Sequence, residues 1–395
     1  GEKRYFPVRK PTSLTFTVDD ADPSDRYARL YSADVVDQIN ALHVPRYGLG
    51  NYVGPQAEKS ATVSERKFIE NLGRAGKRLM GFCRTNLFKR LESTGFSFLQ
   101  SVDRHILRNQ VYLYALENGL DLPVGVLDAG LLDVERVDED AEGLEGDPED
   151  LLDGLIEAVA EEEDMPGGLG RAKKVYEQYA AEYKKRFKWI RPALFRKSLA
   201  EHLAADTQTL AELLRTHGEW DPRHDQKLVA LHKLITRTHS KDKVLVFTQF
   251  ADTARYLTRE IRKAGVTHVE VATGASADPY ALACRFSPRS NNRSVSKADE
   301  IRVLICTDVL SEGQNLQDGN VVVNFDLPWA IIRLIQRAGR VDRIGQKAEE
   351  IHCYSFLPAE GVERLIQLRA RIRQRLLENA EVVGTDEAFF EDEEA

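Results

Sequence analysis

The sequence predicts a doubly wound α/β domain over residues 221–380, preceded by a mostly helical insertion over 60–220. Three observations carry this. From Lys243 onward, short β-rich runs alternate with amphipathic helical patterns and short connections. The runs are apolar almost throughout, as strands of a parallel sheet covered on both faces must be. Between 60 and 215 the pattern changes to helical periodicity with few strand signals.

Taken in order, residues 1–59 read as a connector. Arg4-Tyr-Phe-Pro7 and the strand-like Leu14 to Val18 suit either the edge of the α/β domain or a link to a preceding one. Ser64 to Arg90, Ser101 to Asn118 and Gly170 to Lys185 carry helical spacing. From Asp133 to Asp164 there are sixteen acidic residues against one Arg. Within that stretch Leu151, Leu152, Leu155, Ile156 and Val159 fit one amphipathic helix, and the rest reads as a solvated loop. Pro166-Gly167-Gly168 breaks the chain before a basic segment with Lys173, Lys174, Lys184, Lys185, Arg186, Lys188 and Arg191, interleaved with Tyr179, Tyr183 and Trp189. Such a segment suits a sequence-independent duplex grip. A helix whose basic face is solvated, or paired with the acidic stretch just before it, is the slightly favoured alternative.

In the α/β part, Val244 to Thr248 is an apolar strand, and Ala251 to Ala264 a helix with Ala254, Leu257 and Ile261 on one face. Val269 to Ala272, Val303 to Thr307, Val321 to Phe325 and Ile351 to Phe356 read as further strands. Helices are expected over Ala330 to Arg340 and Gly361 to Glu378. The Ser/Asn/Arg/Lys-rich stretch Ser287 to Glu300 reads as a surface loop, and 381–395 as an acidic tail.

Composition limits the function classes. Apolar residues at 42% and charged residues at 30% describe a globular chain, and no apolar run approaches membrane-spanning length. The four cysteines lie far apart without metal-ligand spacing, so reduced thiols in a cytoplasmic protein are expected and no metal site is assigned. A net charge of −8 argues against a generally basic nucleic-acid binder, although the clustered acids conceal basic faces.

The most informative stretch is Gln336 to Gln346, reading Gln-Arg-Ala-Gly-Arg-Val-Asp-Arg-Ile-Gly-Gln. On a helix its spacings put Gln336, Arg340 and Arg343 on one face. Two permanent guanidinium forks beside an amide suit concentrated negative charge, such as a nucleotide γ-phosphate. A solvated arginine-rich helix is the alternative, but it explains neither Gly339 and Gly345 nor the apolar flanks.

This block resembles motif VI of superfamily-two helicases, and its ending Asp342-Arg343-Ile344-Gly345-Gln346 is similar to the form in Swi/Snf-type DNA translocases. Lys243-Val-Leu-Val-Phe-Thr-Gln-Phe250 resembles motif IV. Val303 to Leu316, followed by Val321 to Trp329, resembles motif V and its continuation. The resemblance covers about residues 225–380 and implies a RecA-like lobe, with a helical protrusion of the kind Swi/Snf-type enzymes carry. It implies Arg340 and Arg343 as arginine fingers, with Gln336 sensing the γ-phosphate or its water. From motif V it implies nucleotide-side roles for Asp308, Gly313 and Asn315, and contacts to the DNA backbone from Thr307 and Ser311. Thr248 and Gln249 of motif IV would support backbone contact, with Phe247 in the core and Trp329 under the motif VI helix. The stretch Val271-Ala-Thr-Gly274-Ala-Ser276 keeps a Gly and small polar residues but not the family's usual wording; Thr273 and Gly274 are assigned to DNA on that basis.

The partner half of such a motor is missing. No Gly-x-x-x-x-Gly-Lys-Ser/Thr string occurs, Gly73-Arg-Ala-Gly76-Lys77-Arg78 lacks its spacing and hydroxyl, and no Asp-Glu-x-His follows an apolar strand. ATP and Mg²⁺ are therefore expected to be held mainly by a first lobe, supplied in cis or in trans, and this chain alone is expected not to hydrolyse ATP. The implied partner is double-stranded DNA, bound through phosphates. RNA polymerase and phage-defence subunits are further partners in the family, and the sequence does not choose between them. A non-catalytic scaffold and a strand-separating helicase are the competing readings.

Overall fold

A computed structural model describes residues 7–357 apart from 17, 20, 23–24, 126–168, 311–314, 329–330 and 344–345. The acidic stretch 133–164 with its expected helix, the expected helix over 361–378 and the tail lie outside the described residues, as do Ser311, Gly313 and Trp329. Eight strands are described: β1 (Val8–Leu14), β2 (Leu122–Gly125), β3 (Phe187–Ile190), β4 (Val244–Phe247), β5 (Val269–Ala272), β6 (Val303–Cys306), β7 (Val321–Asn324) and β8 (Glu350–Phe356). The chain divides into two compact units. One comprises Gly1–Tyr31, Arg90–Ser97 and Trp220–Ala395, the other Ser32–Lys89 and Phe98–Glu219.

The first unit is the doubly wound domain. Its sheet runs in the order β1-β8-β7-β4-β6-β5, and every neighbouring pair is parallel. Val246 of β4 stands opposite Ile305 on one side and Val323 on the other. Successive side chains point to opposite faces, so each apolar strand feeds two cores. Val244, Val246, Val303, Ile305, Val321 and Val323 pack with Leu231, Ala254, Leu257 and Ile261 of the helices Gln226–Lys233 and Ala251–Lys263. Leu245, Phe247, Leu304, Cys306 and Val322 pack on the other face with Ala283 and Phe286 of the helix Pro279–Phe286.

Five strands end one residue or none from where the sequence places them; Thr248, Thr307 and Phe325 fall just outside, each one residue past the last ladder pair of its strand. The first strand differs more. It covers Val8–Leu14 rather than Leu14 to Val18, paired from Val8↔Glu350 to Leu14↔Phe356. An edge strand tolerates Pro11 and the charges of Arg9 and Lys10, so β1 lacks the apolar signature that identifies its neighbours.

In the same unit Lys227 is fully buried and donates to the carbonyls of Glu92 at 2.8 Å and Ser93 at 3.1 Å. These are orphan carbonyls at the end of the helix Val63–Ser93, where a cation is favoured.

The second unit is mostly helical. It takes most of the helices Val63–Ser93 and Gly95–Glu117, together with Leu169–Ala181 and Ser198–His217. The first begins on a capping box. Thr62 Oγ1 accepts from the Glu65 amide at 3.2 Å, and Glu65 accepts in return from the Thr62 amide at 2.7 Å. Leu107, Val111, Ala115, Val175, Tyr179, Leu199 and Leu203 fill the core. Beside them β2 and β3 form a two-stranded antiparallel ladder, Leu122 opposite Ile190. Asp206, nearly buried, accepts from the amides of His43 at 2.9 Å and Val44 at 2.7 Å. This holds Val44 at φ 43°, a conformation its branched side chain disfavours.

Candidate functional site

The polar residues assigned to DNA fall on one edge of the parallel sheet. Thr248, Thr273 and Thr307 each stand one residue past the C-terminal end of β4, β5 and β6. In an open α/β sheet that edge is where ligands sit. Backbone hydrogen bonds carry the ladder one step further, from the Thr248 amide to the Cys306 carbonyl and from Thr307 to Ala272, each at 3.0 Å. Thr273 is nearly buried and closes a turn with Ser276, whereas Gly274 is exposed, with open space where a side chain would begin.

Thr248 does not face outward. Its side chain is buried and its hydroxyl donates to the carboxylate of Asp326, just past β7. Asp326 is itself fully buried, accepting also from the Gln249 amide at 2.8 Å and from Ser93 Oγ at 2.6 Å. Ser93 and Ser97 both contact the Thr253 hydroxyl, at 2.8 and 2.6 Å. A buried carboxylate persists only when its acceptor sites are filled, and here four polar side chains and a backbone amide belong to the network that fills them. Sequence reasoning passed over Asp326. Its signal was a lone carboxylate two residues after a strand of three valines and an asparagine.

The helix Ile331–Ala338 carries the first part of the arginine block. Arg337 is completely buried. It closes a two-point pair on Asp308, Nε to Oδ1 at 2.7 Å and Nη2 to Oδ2 at 3.0 Å, and its Nη1 donates to Asn324 Oδ1 and to the Asp326 carbonyl, both at 3.3 Å. The guanidinium also lies over the Phe247 ring, 5.3 Å from its centroid. Arg333, one turn earlier, reaches the same Asp308 at 3.2 Å. Burial opposes the Asp308 charge, but Arg337 and Arg333 outweigh it and hold the carboxyl below the ordinary carboxylate range. In this arrangement Asp308 anchors the helix Ile331–Ala338. Arg333 and Arg337 were also missed, although four-residue spacing is the pattern by which two cations share one anion on a helix.

Gln336, Arg340 and Arg343 do not share a helical face. The helix ends at Ala338, because the bonds tighten from Arg340 N to Arg337 O at 3.2 Å and from Val341 N to Ala338 O at 3.0 Å, turning the chain at Gly339. Arg340 and Arg343 therefore lie on the turn beyond it. Arg340 Nε donates to the Gln336 carbonyl at 3.3 Å, and Arg343 Nε to the Gly339 carbonyl at 3.0 Å. Among the described residues no carboxylate pairs with Arg343. The turn is pinned from inside by the Leu316 amide on the Arg340 carbonyl at 3.2 Å, and by the Gln346 amide group on the carbonyls of Gly319 at 2.9 Å and Val341 at 3.1 Å. Asn315, next to Leu316 in sequence, donates to the Ser290 carbonyl at 3.0 Å and its carbonyl accepts from Asn291 at 2.8 Å. The structure thus brings the strand-end residues together at one edge and the arginines together on a turn. Arg337 joins the two, reaching Asp308, Asn324 and Asp326 from the helix that leads into that turn.

Comparison with known proteins agrees with this geometry. Residues 226–345 match the helicase conserved C-terminal domain. An uncharacterized ATP-dependent helicase, YqhH, of Bacillus subtilis (strain 168) is 33% identical over 125 residues, 32% of this chain and 20% of that protein. The ATP-dependent RNA helicase DBP8 of Candida glabrata is 27% identical over 180 residues, 46% of this chain and 38% of that protein. The chain therefore spans well under half the length of these relatives. Among solved structures, the C-terminal part of the Fun30 ATPase domain covers 95% of this chain and 98% of its own, at 13% identity and a TM-score of 0.40, a likeness too low to bear on function. Residues 226–345 supply four of the six parallel strands, β4 to β7, and the sheet has the RecA-like α/β fold of the helicase conserved C-terminal domain that this segment matches.

Proposed function

We propose that this chain is the second motor lobe of an ATP-dependent translocase on double-stranded DNA, of the Swi/Snf helicase-like type. The observation that carries the reading is the arginine turn. Arg337 locks its helix onto Asp308, and Arg340 and Arg343 follow on a short, pinned turn with their Nε atoms on main-chain carbonyls. Guanidiniums fixed in this way stabilise charge that develops on a transferring phosphoryl group, without reorganisation at the moment of reaction.

In this reading Arg340 and Arg343 are the fingers and Gln336 orients the γ-phosphate or its water. A first lobe, in cis or in trans, grips ATP, and Mg²⁺ there neutralises charge on the β- and γ-phosphates. Gln249, Gly274, Thr307 and Ser311 meet the nucleic-acid backbone, with Thr248 and Thr273 shaping the turns that present them. Contacts of that kind carry little sequence information, and binding falls steeply with salt. The helical unit corresponds in this reading to the family's helical protrusion, and a cytoplasmic location goes with it.

The choice of DNA rests on the ending Asp342-Arg343-Ile344-Gly345-Gln346. A second reading, an RNA helicase, is favoured by the RNA helicases among the relatives. The deciding experiment joins this chain to its nucleotide-gripping lobe and measures ATP hydrolysis with duplex DNA, with RNA and with neither. Stimulation by duplex DNA is expected, with turnover falling about 10³-fold in Arg340→Ala. Stimulation by RNA alone would select the second reading. Turnover unaffected by Arg340→Ala would remove the finger assignment, and hydrolysis by this chain alone would reveal a nucleotide site of its own.

A further inference from the structure

Arg9 lies on the edge strand β1, and Asp342 lies between the two arginines of the turn, 333 residues away in sequence. Their side chains meet at 2.6 Å, Arg9 Nε to Asp342 Oδ2, with only 19% and 8% of each exposed. Arg9 is the sole side-chain partner of Asp342 among the described residues, since the other carboxylate oxygen, Oδ1, is buried without a hydrogen bond. We propose that Arg9 is a positioning residue for the finger turn: it holds the Asp342 carboxylate against β1 and so keeps it from capturing Arg343, the residue next to it. This rests on the motor reading above, and it names how the turn keeps the Arg343 guanidinium clear of its neighbouring carboxylate.

The physical case is a competition between ions. Asp342 is two residues after Arg340 and directly before Arg343, so its carboxylate is the covalently nearest anion to both fingers. A nearly buried carboxylate requires a cation, and uncompensated it either drags its segment toward water or takes the closest guanidinium. A finger paired with its own neighbour is neutralised and turned away from a phosphate. Arg9 removes that competitor from outside the turn. The pairing is set by strand register, because Arg9 stands opposite Ile351 and β1 opens with the Val8 amide on the Glu349 carbonyl at 2.9 Å, close to the end of the arginine block. The inner pins on Arg340 and Val341 are all to main-chain carbonyls and do nothing for the Asp342 charge.

The test uses three variants, Arg9→Ala, Asp342→Asn and the double change, with Arg9→Lys as a milder substitution should Arg9→Ala fold poorly. In the protein joined to its first lobe, Arg9→Ala should lower kcat for ATP hydrolysis about 10- to 100-fold with little change in KM, the scale of a misplaced catalytic group. Adding Asp342→Asn should restore most of that loss, because the competing charge has gone. An equally impaired double variant would reduce Arg9 to a strap for β1, and unchanged kcat in Arg9→Ala would end the proposal. A second readout needs no hydrolysis. In the 395-residue chain, amide hydrogen exchange at 339–343 should quicken in Arg9→Ala and return toward normal in the double variant. Exchange at 339–343 unchanged by Arg9→Ala would also end it. If the wild-type protein hydrolyses no ATP, the motor reading fails, while exchange still decides the placement of the turn.

Discussion

Basic side chains meet opposite fates in the two units. In the helical unit the segment 171–191 has the composition of a nucleic-acid grip, yet Tyr176, Tyr179 and Phe187 fill the core, Arg191 closes on Glu65 at 2.8 Å and Arg171 on Asp103 at 3.3 Å. In the α/β unit Arg337 is buried on Asp308, while Arg340 and Arg343, three and six residues later, hold main-chain carbonyls. Arginine content does not separate the two cases. For Arg343 the separation is that no carboxylate among the described residues pairs with it, and such pairing depends on strands and helices far apart in sequence. Among the described residues two cations of the basic segment pair with Glu65 and Asp103, while the acidic stretch expected as its partner lies outside the described residues.

The comparison breaks most readily at Arg337. Arg337→Ala removes the two-point pair from the nearly buried Asp308, and should cost about 3–5 kcal/mol of stability by denaturant unfolding. Pairing Arg337→Met with Asp308→Asn should recover part of that loss. A small effect of Arg337→Ala would mean that the clamp is not what holds the helix.

A smaller effect is expected at Gly95, where a Cβ would come within 2.1 Å of the Trp220 ring. Gly95→Ala must displace Trp220 from its hydrogen bond to the Tyr256 hydroxyl at 3.0 Å, costing about 1–3 kcal/mol, with a matching loss of tryptophan fluorescence change on unfolding. Wild-type stability would show that the ring has room to move.

Acid sharpens the comparison for the helical unit. The Arg191 hydrogen bond draws the Glu65 carboxyl down to about 2, against a smaller opposing effect of burial and with help from Thr62. A depressed carboxyl stabilises the fold above its unfolded value of about 4.3, and that contribution disappears as pH falls through the window toward 2. Unfolding of the wild type should therefore steepen between about pH 4.5 and 2, and Glu65→Gln should flatten that slope. Identical acid profiles would show that the capping box and ion pair contribute nothing.

The smallest change belongs to the solvated pairs. Lys173 and Glu177 stand 3.8 Å apart with 56% and 60% exposure, so Lys173→Ala should alter stability by less than about 0.5 kcal/mol. A larger shift would indicate that the basic face has a partner.

Much of the α/β unit was legible in advance. Continuous runs such as Val-Leu-Val-Phe at 244–247 cannot satisfy a two-faced burial except as inner parallel strands; β4, β6 and β7 are inner strands as that reasoning requires, and β5 lies where expected in sequence but at the sheet edge. The arginine block identified itself through residue type and spacing, and residues 226–345 match the helicase C-terminal domain. Less was legible where pairing is non-local. Both β2 and β3 are four residues long, and they meet from opposite sides of 126–168. The polar edge strand β1 gives no local signal at all. Helix Ser198–His217 and the left-handed Val44 depend on tertiary partners such as Leu203 and Asp206.

By itself, then, the sequence determined the fold class and the chemistry on offer: apolar runs that must be inner strands, and guanidiniums in a spacing suited to phosphate. Only the tertiary structure decided which of those groups remain at the surface and which are consumed. Asp326 and Asp308 sit at the ends of different strands, and Arg9 at the far edge of the same sheet, yet each fixes part of the arginine block. A charge in a low-dielectric interior is set by its nearest counter-ion, and nearness there is a property of the folded sheet rather than of the chain.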